Sequence, residues 1–485
     1  MREMVDYDLL SVQEARILAE EATEAQRALR ELEQETLDLF VERAADEAEA
    51  HAEELADLSA VETGIGRRED KLLKNRFVCR QLRQAMRGMR YVGVLARDCA
   101  GYVTDIGVPR GTVAAFCPRV SPVSTTIYQV LIALKSGNSI IVSPHPGTER
   151  VVARAMDVMM EATEKCGLPP GAVSYLRSPC SAGARELLRH RAVSQILMTG
   201  VPSLMPAAAG SGKPVLYGSA GNGPAFIERT ADIRQAVSDI ILSKCFDNGA
   251  AAAAEQSVVV DAPVAEAVRA AFTDMGAYFM TDEEAKRLET IVFRASDGGV
   301  NGESVGKPAT FLAERAGFTI PPHTRLLISH QKYVSEKNPY SGEKYCPVLA
   351  YYVEDNWVHA CEKCIELLLH GKQGHTLVIH SRDEHVIEQF ALKKPVARVL
   401  VNTPSSLGGI GMTTGLFPAM TLGGETAGLG VTADNVSPAN LTYIRKVGYG
   451  VRSVEELSAP MPETEKASDM EMFRRRLEKA MKRAD

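Results

Sequence analysis

Short apolar runs and helical segments alternate along this chain from about residue 110, and this alternation limits the fold more than any other feature. The apolar run GTVAAFCP precedes STTIYQVLIALKSGN, which has helical apolar spacing and ends near Gly137, and SIIVSPHP follows. The alternation returns in VSQILMTG, in KPVLYGSAGNGPAFI with a predicted helix at 231–245, and in HTLVIHS and ARVLVN. Strands that alternate with helices form parallel sheets. The sequence therefore predicts an α/β protein with two sheet domains.

The two ends of the chain lack this alternation. Residues 8–60 have apolar positions at three-and-four spacing among many Glu, Ala and Arg residues, which predicts amphipathic helices. Near the C-terminus, the polar segment SAPMPETEKASD predicts a linker. A helix follows, and its apolar face would carry Met470, Phe473, Leu477 and Met481. This helix either packs on its own or a neighbouring subunit or docks on a partner.

The composition favours a multidomain globular chain and argues against several classes of partner. The chain has 485 residues, of which 45% are hydrophobic and 24% charged, so it can bury more than one core. A net charge of −7 gives no basic surface for nucleic acid. No apolar run reaches the length of a membrane span, and MREMVDYDLL lacks the pattern of a signal peptide. We expect a cytoplasmic protein with neither nucleic-acid nor membrane partners.

The cysteines predict reduced thiols and no metal site. Nine cysteines in so long a chain are neither dense nor arranged as a disulfide framework. Cys361 and Cys364 have C-x-x-C spacing, but they lie in a helical pattern and no second pair follows, so we interpret them as buried helix residues. Cys245 is also expected in the core, because it shares a helical stripe with four apolar residues, Ile233, Val237, Ile240 and Ile241.

The stretch SKCFDNGAAAAAEQSVVVD, residues 243–261, holds five consecutive alanines between a turn signal and a β-branched run. Alanine is the best helix former and offers no reactive group. Taken alone, the stretch predicts a tightly packed helical turn that leads into a buried strand.

Other single signals are weak when taken one at a time. His145 follows a predicted strand, where structural histidines are commoner than catalytic ones. The segments GSAGNGP and SSLGGIG permit either tight turns or close approach of a ligand, and no G-x-G-x-x-G fingerprint is present.

Six segments taken in order resemble the CoA-acylating aldehyde dehydrogenases. They are AVETGIGRREDKLLKN (60–75), IIVSPHP (140–146), GKPVLYGSAGNGP (212–224), FDNGAAAAAEQSVVVD (246–261), GEKYCPVLAYYV (342–353) and LVNTPSSLGGIG (400–411). The resemblance covers nearly the whole chain. The family includes acetaldehyde and propionaldehyde dehydrogenases that form acyl-CoA, and the aldehyde half of bifunctional alcohol/aldehyde dehydrogenases.

The resemblance implies that the catalytic nucleophile is replaced in this sequence. The family's segment has the form FDNG-x-x-Cys-x-x-Glu-Gln, and its cysteine falls on Ala252. A thiolate is needed there because a thioester can be passed to a second thiol, whereas alanine cannot attack a carbonyl. Restoring one residue gives FDNGAACAAEQ, an ordinary member of the family. The pattern therefore favours a Cys→Ala substitution in an active enzyme over a natural pseudoenzyme.

The resemblance also assigns groups for catalysis. The Asn-Pro pair whose amide helps to bind the oxyanion in relatives reads Ser121-Pro122 here, so a serine hydroxyl stands at that position. Hydrolytic aldehyde dehydrogenases use a glutamate to activate water, and this chain has Gly221 and Asn222 in that segment. Without that base, the thioester should wait for CoA.

The remaining assignments concern the cofactor, NAD or NADP, whose binding site would also include Gly221 and Asn222. By resemblance, Ser143, Pro144 and His145 hold its adenosine side, and Glu343 contacts the nicotinamide ribose. Two further residues, Thr199 and Gly200, would lie near the pyrophosphate, although the family's Gly-Gly-Pro-Gly reads GVPS here.

The resemblance implies an aldehyde dehydrogenase fold in three parts, followed by a tail. We expect a Rossmann-like NAD(P)-binding domain in 1–93 and 111–230, and a catalytic α/β domain in 231–434. A small β-hairpin in 94–110 would pair with 435–458 as the oligomerisation element. A linker and an amphipathic tail helix would occupy 459–485.

The expected reaction converts an aldehyde, NAD(P)+ and coenzyme A into acyl-CoA and NAD(P)H in a homodimer or homotetramer. The same resemblance implies that the tail is a peptide that docks on a bacterial microcompartment shell. The alternative is a non-catalytic protein that binds nucleotide or CoA, or a microcompartment cargo protein.

Overall fold

The computed structural model describes residues 6–218, 221–370, 374–424, 432–455 and 470–476. The chain divides into two compact units, the larger comprising Met1–Gly93 and Gly107–Tyr443 and the smaller Val94–Ile106 and Ile444–Asp485. No helix within the described ranges is long and apolar enough to cross a membrane.

The helices and strands are numbered in chain order. The helices are α1 (Tyr7–Leu29), α2 (Gln34–Ala50), α3 (Ala52–Thr63), α4 (Arg68–Phe77), α5 (Arg83–Met86), α6 (Pro122–Lys135), α7 (Glu149–Glu164), α8 (Ser181–Arg189), α9 (Met205–Ala209), α10 (Ile233–Cys245), α11 (Ala265–Asp274), α12 (Asp282–Val292), α13 (Ala309–Arg315), α14 (Trp357–His370), α15 (Glu384–Lys393) and α16 (Ser405–Gly409). The strands are β1 (Gly93–Arg97), β2 (Val103–Pro109), β3 (Thr112–Phe116), β4 (Ile140–Ser143), β5 (Val173–Tyr175), β6 (Val193–Thr199), β7 (Val215–Gly218), β8 (Pro224–Ile227), β9 (Ser257–Asp261), β10 (Ala277–Phe279), β11 (Leu326–His330), β12 (Val348–Glu354), β13 (Thr376–His380), β14 (Arg398–Val401) and β15 (Thr442–Gly448).

The N-terminal helices form as the apolar spacing of residues 8–60 predicts. Helix α1 begins after Asp6, whose carboxylate caps it by accepting hydrogen bonds from the backbone N–H groups of Asp8 and Leu9. Helices α2 and α3 present buried leucine and alanine side chains to the first core. The amphipathic helices predicted for this region are confirmed.

The first sheet has five strands in the order β5-β4-β3-β6-β7, and the pairings between them are parallel. The connections from β3 run first to one side, through β4 and β5, and then to the other, through β6 and β7. The order therefore reverses between β3 and β6, which is where open α/β sheets bind ligands, beyond the carboxyl ends of the strands. Helix α6 is buried along its whole length against this sheet.

The second sheet has seven parallel strands in the order β10-β11-β12-β9-β8-β13-β14. Strand β8 belongs to it, although the sequence analysis assigned residues up to 230 to the first domain. The chain therefore passes from the first sheet to the second between β7 and β8, before Pro224. Sequence could not place this change of sheet, because the short apolar run PAFI has the same pattern whichever sheet it joins.

The smaller unit is organised around a three-stranded sheet in the order β1-β2-β15. The pairing of the hairpin with the chain near residue 445 is thus observed. Lys446 donates to the Asp105 carboxylate at 2.8 Å, and the Tyr449 N–H donates to the Tyr102 carbonyl at 2.9 Å. Residues 470–476 are helical, while Leu477 and Met481 of the predicted tail face lie outside the described residues.

The three cysteines that sequence analysis placed in the interior are buried. Cys361 and Cys364 pack in one core on helix α14, and Cys245 packs in another at the end of α10. Burial raises the pKa of the Cys245 thiol to about 11. Among described residues, no group of three or more His, Cys, Asp or Glu is placed to hold a metal ion.

Candidate active site

Loops that precede four strands of the second sheet meet at one edge of that sheet. Gly221 precedes β8, Ala252 precedes β9, Glu343 precedes β12 and His375 precedes β13. Because these strands are parallel neighbours, their amino ends share one edge. Residues from distant parts of the sequence are thereby brought together.

The five alanines form a turn, not the helical turn predicted from alanine propensity. The Ala254 N–H donates to the Ala251 carbonyl at 3.0 Å, so Ala252 and Ala253 occupy the corner of the turn. Ala253 is buried against Gly409, where a Cβ would lie 2.9 Å from the Ala253 Cβ. Ala252 is partly exposed. The alanines thus divide into packing residues and residues that face the site.

The backbone before this turn is left-handed at two consecutive residues. Asp247 has φ 50° and Asn248 has φ 51°, values that side-chain-bearing residues adopt rarely. Gly249 follows with φ 78°, and a Cβ on it would lie 2.6 Å from the backbone of Cys346. The Asp, Asn and Gly of the FDNG segment are therefore residue types that suit the backbone leading into the alanine turn.

Gly221 is glycine because its neighbours leave no room for a side chain. A Cβ there would lie 2.2 Å from Nε2 of His375 and 2.7 Å from the carbonyl oxygen of Ala252. No side chain, and hence no carboxylate base, fits at this position while the His375 ring is present.

His375 is the site residue that sequence analysis missed. Its ring lies against the Ala252 carbonyl, and its Nδ1 is 2.6 Å from Oγ1 of Thr376. Burial and the nearby Arg398 guanidinium lower the His375 pKa to about 3, so the ring is neutral at ordinary pH. The available signal was a histidine that immediately precedes the predicted strand in HTLVIHS.

Glu343 contacts Gly221 from the loop before β12. Its carboxylate accepts the Gly221 N–H at 2.5 Å and a hydrogen bond from the Tyr345 hydroxyl. Burial raises the pKa of Glu343 to about 7. The carboxylate is also close enough to Tyr217, in β7, to help raise the pKa of that phenol to about 12, after burial. Glu343 thus lies near Tyr217 of the first sheet as well as beside the loop that precedes β8 of the second.

Asn222 ties two loops together. Its side-chain amide nitrogen donates to the carbonyl of Ser341 at 2.8 Å and to that of Leu367 at 2.6 Å, and the side chain is buried. The amide N–H groups of Asn222 are therefore used within the protein.

Buried charged groups surround the alanine turn. The Glu255 carboxylate accepts the Ser405 N–H at 3.0 Å, and burial raises its pKa to about 7. Lys244 donates to Gln256 at 2.9 Å and to the Lys344 carbonyl at 2.8 Å, and burial lowers its pKa to about 8. These partners account for the Glu and Gln of the motif.

Ser121 begins helix α6, on the side of the first sheet. Its hydroxyl oxygen accepts a hydrogen bond from Nζ of Lys74 at 2.7 Å, and Nζ also donates to Asp247 at 2.6 Å. A buried lysine therefore connects Ser121 to the FDNG segment.

A cavity of about 150 Å³ lies at the carboxyl ends of β3 and β4. Its lining includes Phe116, Ser143, Pro144, His145, Val201 and Ser203. The cavity adjoins the point where the strand order of the first sheet reverses. The three residues assigned to the adenosine side of the cofactor are therefore brought together around one cavity.

Thr199 and Gly200 come just before the Val201 wall of this cavity. Oγ1 of Thr199 lies 2.6 Å from Oγ1 of Thr421 and accepts from Gln129 at 3.2 Å. Gly200 has φ 62°, and its N–H donates to the Gly218 carbonyl at 2.9 Å. Both residues make internal hydrogen bonds at the carboxyl end of β6.

The fold combines a five-stranded parallel sheet, with a cavity at the reversal of its strand order, and a seven-stranded parallel sheet preceded by the FDNG turn. This is an aldehyde dehydrogenase architecture. The chain belongs to the aldehyde dehydrogenase family, whose model matches residues 2–287. Its relatives include acylating members of that family.

Three relatives illustrate the relationship. The chain is 36% identical over 436 residues to the bifunctional aldehyde-alcohol dehydrogenase AdhE of Escherichia coli, covering 89% of this chain and 49% of that protein. It thus spans about half the length of the curated relatives it matches first. The structure of a probable aldehyde dehydrogenase from Listeria monocytogenes is 43% identical, with a TM-score of 0.91, covering 93% of this chain and 100% of that one. An acetylating aldehyde dehydrogenase from Geobacillus thermoglucosidasius is 39% identical, with a TM-score of 0.90 and coverages of 93% and 99%.

A more distant structure comes from a microcompartment. It is a propionaldehyde dehydrogenase from the fucose utilisation bacterial microcompartment of Clostridium phytofermentans. That protein is 26% identical, with a TM-score of 0.80, covering 89% of this chain and 96% of its own.

Proposed function

We propose that this chain, with cysteine at position 252, converts an aldehyde, NAD(P)+ and CoA into acyl-CoA, NAD(P)H and a proton. The observation that carries the proposal is the state of the alanine turn. Ala252 is partly exposed at its corner, while the FDNG segment before it and Glu255 and Gln256 after it are held by specific contacts. The turn therefore lacks a nucleophilic atom at position 252 but keeps the contacts that hold the residues on either side of it.

A cysteine thiolate at 252 would add to the aldehyde carbon, and the carbonyl oxygen would become an oxyanion. Loss of hydride from that carbon leaves a thioester on the cysteine, and attack by the CoA thiol transfers the acyl group and restores the cysteine. A bound nicotinamide accepts the hydride. Ser121 is proposed to donate to the oxyanion, as the asparagine does in relatives.

The residues present fit a nicotinamide cofactor. The cavity of about 150 Å³ lies at the reversal of strand order, where open α/β sheets bind nucleotides, and Ser143, Pro144 and His145 line it. Glu343 has a carboxylate that can accept hydrogen bonds from ribose hydroxyls. Thr199 and Gly200 are proposed to flank the pyrophosphate between these two ends.

The neighbourhood of Gly221 supports CoA, in place of water, as the acceptor of the acyl group. The position has no room for a carboxylate because the His375 ring fills the space. A thioester without an adjacent base is hydrolysed slowly. We therefore propose that acyl transfer needs a thiol.

The test is Ala252→Cys, assayed with a panel of aldehydes and with NAD+ or NADP+, with and without CoA. We expect CoA-dependent NAD(P)H formation at least about 10⁴-fold faster than in the chain as given, because the covalent route is opened. The matched control adds Cys245→Ala to this variant, which should keep the activity. Activity that follows Cys245, fast CoA-independent acid formation, or an inactive variant that still binds cofactor would each contradict the proposal.

A second candidate function is supported by Ala252 itself. With alanine at the nucleophile position, the chain as given would bind NAD(P)+ or CoA without oxidising aldehyde. The sequence of the native gene separates the two: alanine at 252 there favours the binding protein, and cysteine favours the enzyme.

Two further proposals concern assembly. We propose that the smaller unit joins subunits into a homodimer or homotetramer, since Val94 and Ile444 in its strands and Tyr449 just after β15 are 47%, 48% and 60% exposed. We also propose that the tail docks on a microcompartment shell, because Met470 and Phe473 are 69% and 63% exposed and a relative comes from such a compartment. Deleting 459–485 should leave the oligomer intact and abolish co-purification with shell proteins; loss of the oligomer would instead favour packing between subunits.

A further inference from the structure

A buried ammonium group joins Ser121 to the segment that carries residue 252. Nζ of Lys74 donates to the Ser121 hydroxyl oxygen at 2.7 Å and to Oδ2 of Asp247 at 2.6 Å. The Lys74 side chain is only 4% exposed and that of Asp247 is fully buried. Ser121 is partly exposed. The contact thus runs from the buried Asp247 of the FDNG segment to a partly exposed hydroxyl.

Asp247 is fixed from several sides, so it is a firm anchor for Lys74. Its Oδ1 accepts the Arg67 N–H at 2.8 Å, and Oδ2 also accepts from Lys71 at 3.4 Å. The Asp247 N–H donates to the Asp70 carboxylate at 2.8 Å. Gly66 leaves room for this carboxylate, because a Cβ there would lie 1.8 Å from Oδ1. Helix α4 and the FDNG segment therefore form one hydrogen-bonded body.

The hydrogen bond from Lys74 determines whether the Ser121 hydroxyl donates or accepts. An ammonium group has donors and no acceptor, so the Ser121 oxygen must accept from it. The hydroxyl hydrogen is then left for another acceptor, and the adjacent positive charge makes it a stronger donor. A serine hydroxyl otherwise rotates freely, whereas the asparagine amide of relatives is a donor by its own geometry.

We propose that Lys74 is a positioning residue that holds the Ser121 hydroxyl as a donor to the substrate oxyanion. This inference rests on the proposed function, because it concerns the same carbonyl addition at position 252. It adds that the EDKLLKN segment of α4 acts in the reaction through Ser121. A purely structural role for Lys74, as the counter-ion of Asp247, makes a different prediction.

The test is a cycle of variants, all made with Ala252→Cys. Lys74→Met is combined with Asp247→Asn, so that the removed ammonium leaves no carboxylate behind, and the new amide oxygen can still accept the Arg67 N–H. We expect this pair of changes to lower kcat about tenfold to hundredfold, below the loss of a whole oxyanion donor. The KM for the cofactor should stay within about twofold, because the nucleotide cavity is untouched.

The same pair of changes is then made with Ser121→Ala and with Ser121→Asn. With alanine, the hydroxyl is already gone, so the further loss should be under about threefold. With asparagine, whose amide donates unaided, the loss should also be small. The matched control is Lys135→Met with Asp38→Asn, which removes another buried ammonium and its carboxylate, 2.6 Å apart, at the other end of α6, and it should cost little.

Equal losses in all three backgrounds would overturn the inference and assign Lys74 to structure alone. If the paired variant fails to fold, as shown by its thermal unfolding, Ser121→Ala alone decides. An unchanged kcat in that variant refutes the role of the hydroxyl and hence of Lys74. An Ala252→Cys protein without any activity refutes the proposed function itself, which is a separate result.

Discussion

The cavity beyond the first sheet and the alanine turn before the second sheet are built from different groups. The cavity is lined by apolar, serine, proline, cysteine and histidine side chains, with no carboxylate or ammonium among its described lining residues. The alanine turn lies among buried ionisable groups, Glu255, Glu343, Lys244 and His375, whose pKa values burial displaces.

This difference indicates what each region is for. Burying ionisable groups is costly, and binding alone does not require it. Displaced pKa values concentrate where a protein performs chemistry. We therefore expect chemistry at the turn around Ala252 and binding in the cavity.

The largest loss of activity is expected at Gly221. With Ala252→Cys as background, Gly221→Ala places a methyl group against Nε2 of His375 and the carbonyl of residue 252. We expect kcat/KM to fall about 10²- to 10³-fold, because misplacing the turn by about 1 Å is enough to cost this much. Gly302→Ala is the matched control, since a Cβ there meets nothing within 4 Å. Full activity in the Gly221 variant would show that the crowding is not functional.

A smaller effect is expected on stability when Glu255 is replaced. Burial raises its pKa to about 7, above the ordinary 4.5, so the folded state holds this proton more tightly than the unfolded state. The stabilisation of the folded state that this raised pKa provides is fully present below about pH 4.5, and it is lost as the pH rises to about 7.

Glu255→Gln should therefore raise the free energy of unfolding at pH 8 by up to about 3 kcal/mol and leave it nearly unchanged near pH 4.5. Chemical denaturation at both pH values measures this, with exposed Glu20→Gln as the control. A variant that is less stable at pH 8 would show that ionised Glu255 is a structural group.

The smallest effect is expected at Glu343. Its pKa is raised to about 7, so the carboxylate gains charge and acceptor strength between about pH 6 and pH 8. NAD(P)+ should bind several-fold more tightly at pH 8 than at pH 6, since charged acceptors bond hydroxyls more strongly. Glu343→Gln should remove this pH dependence. Titration by protein fluorescence at both pH values tests it, and a variant with an unchanged pH dependence would place Glu343 outside the ribose site.

The regular elements were predictable from sequence, because apolar periodicity determines them locally. Helices α1 to α3, helix α6 and strands β4, β6 and β13 lie where the patterns predicted. The alanine turn was not predictable. Helical propensity was overridden by the left-handed backbone of Asp247 and Asn248 and by packing of Ala253 on Gly409. Local preference loses to tertiary contacts of this kind.

The contact of His375 with Gly221 was also beyond local reasoning. These residues precede β13 and β8, which are neighbours in the sheet, with Val378 opposite Ala225. Strand order is a property of the whole sheet, so a single sequence does not reveal which loops meet. Asn222 illustrates the same point, since its amide is consumed by the carbonyls of Ser341 and Leu367 from two distant segments.

Mass spectrometry can show directly whether residue 252 carries the acyl group. The Ala252→Cys protein is incubated with aldehyde and NAD(P)+ in the absence of CoA, and its mass is measured. We predict one added acyl group per chain, assigned to residue 252 by peptide mapping and removed on addition of CoA as acyl-CoA. The chain as given, treated in the same way, should gain no mass. An acyl group on Cys245, or no adduct in a variant that binds cofactor normally, would contradict the account.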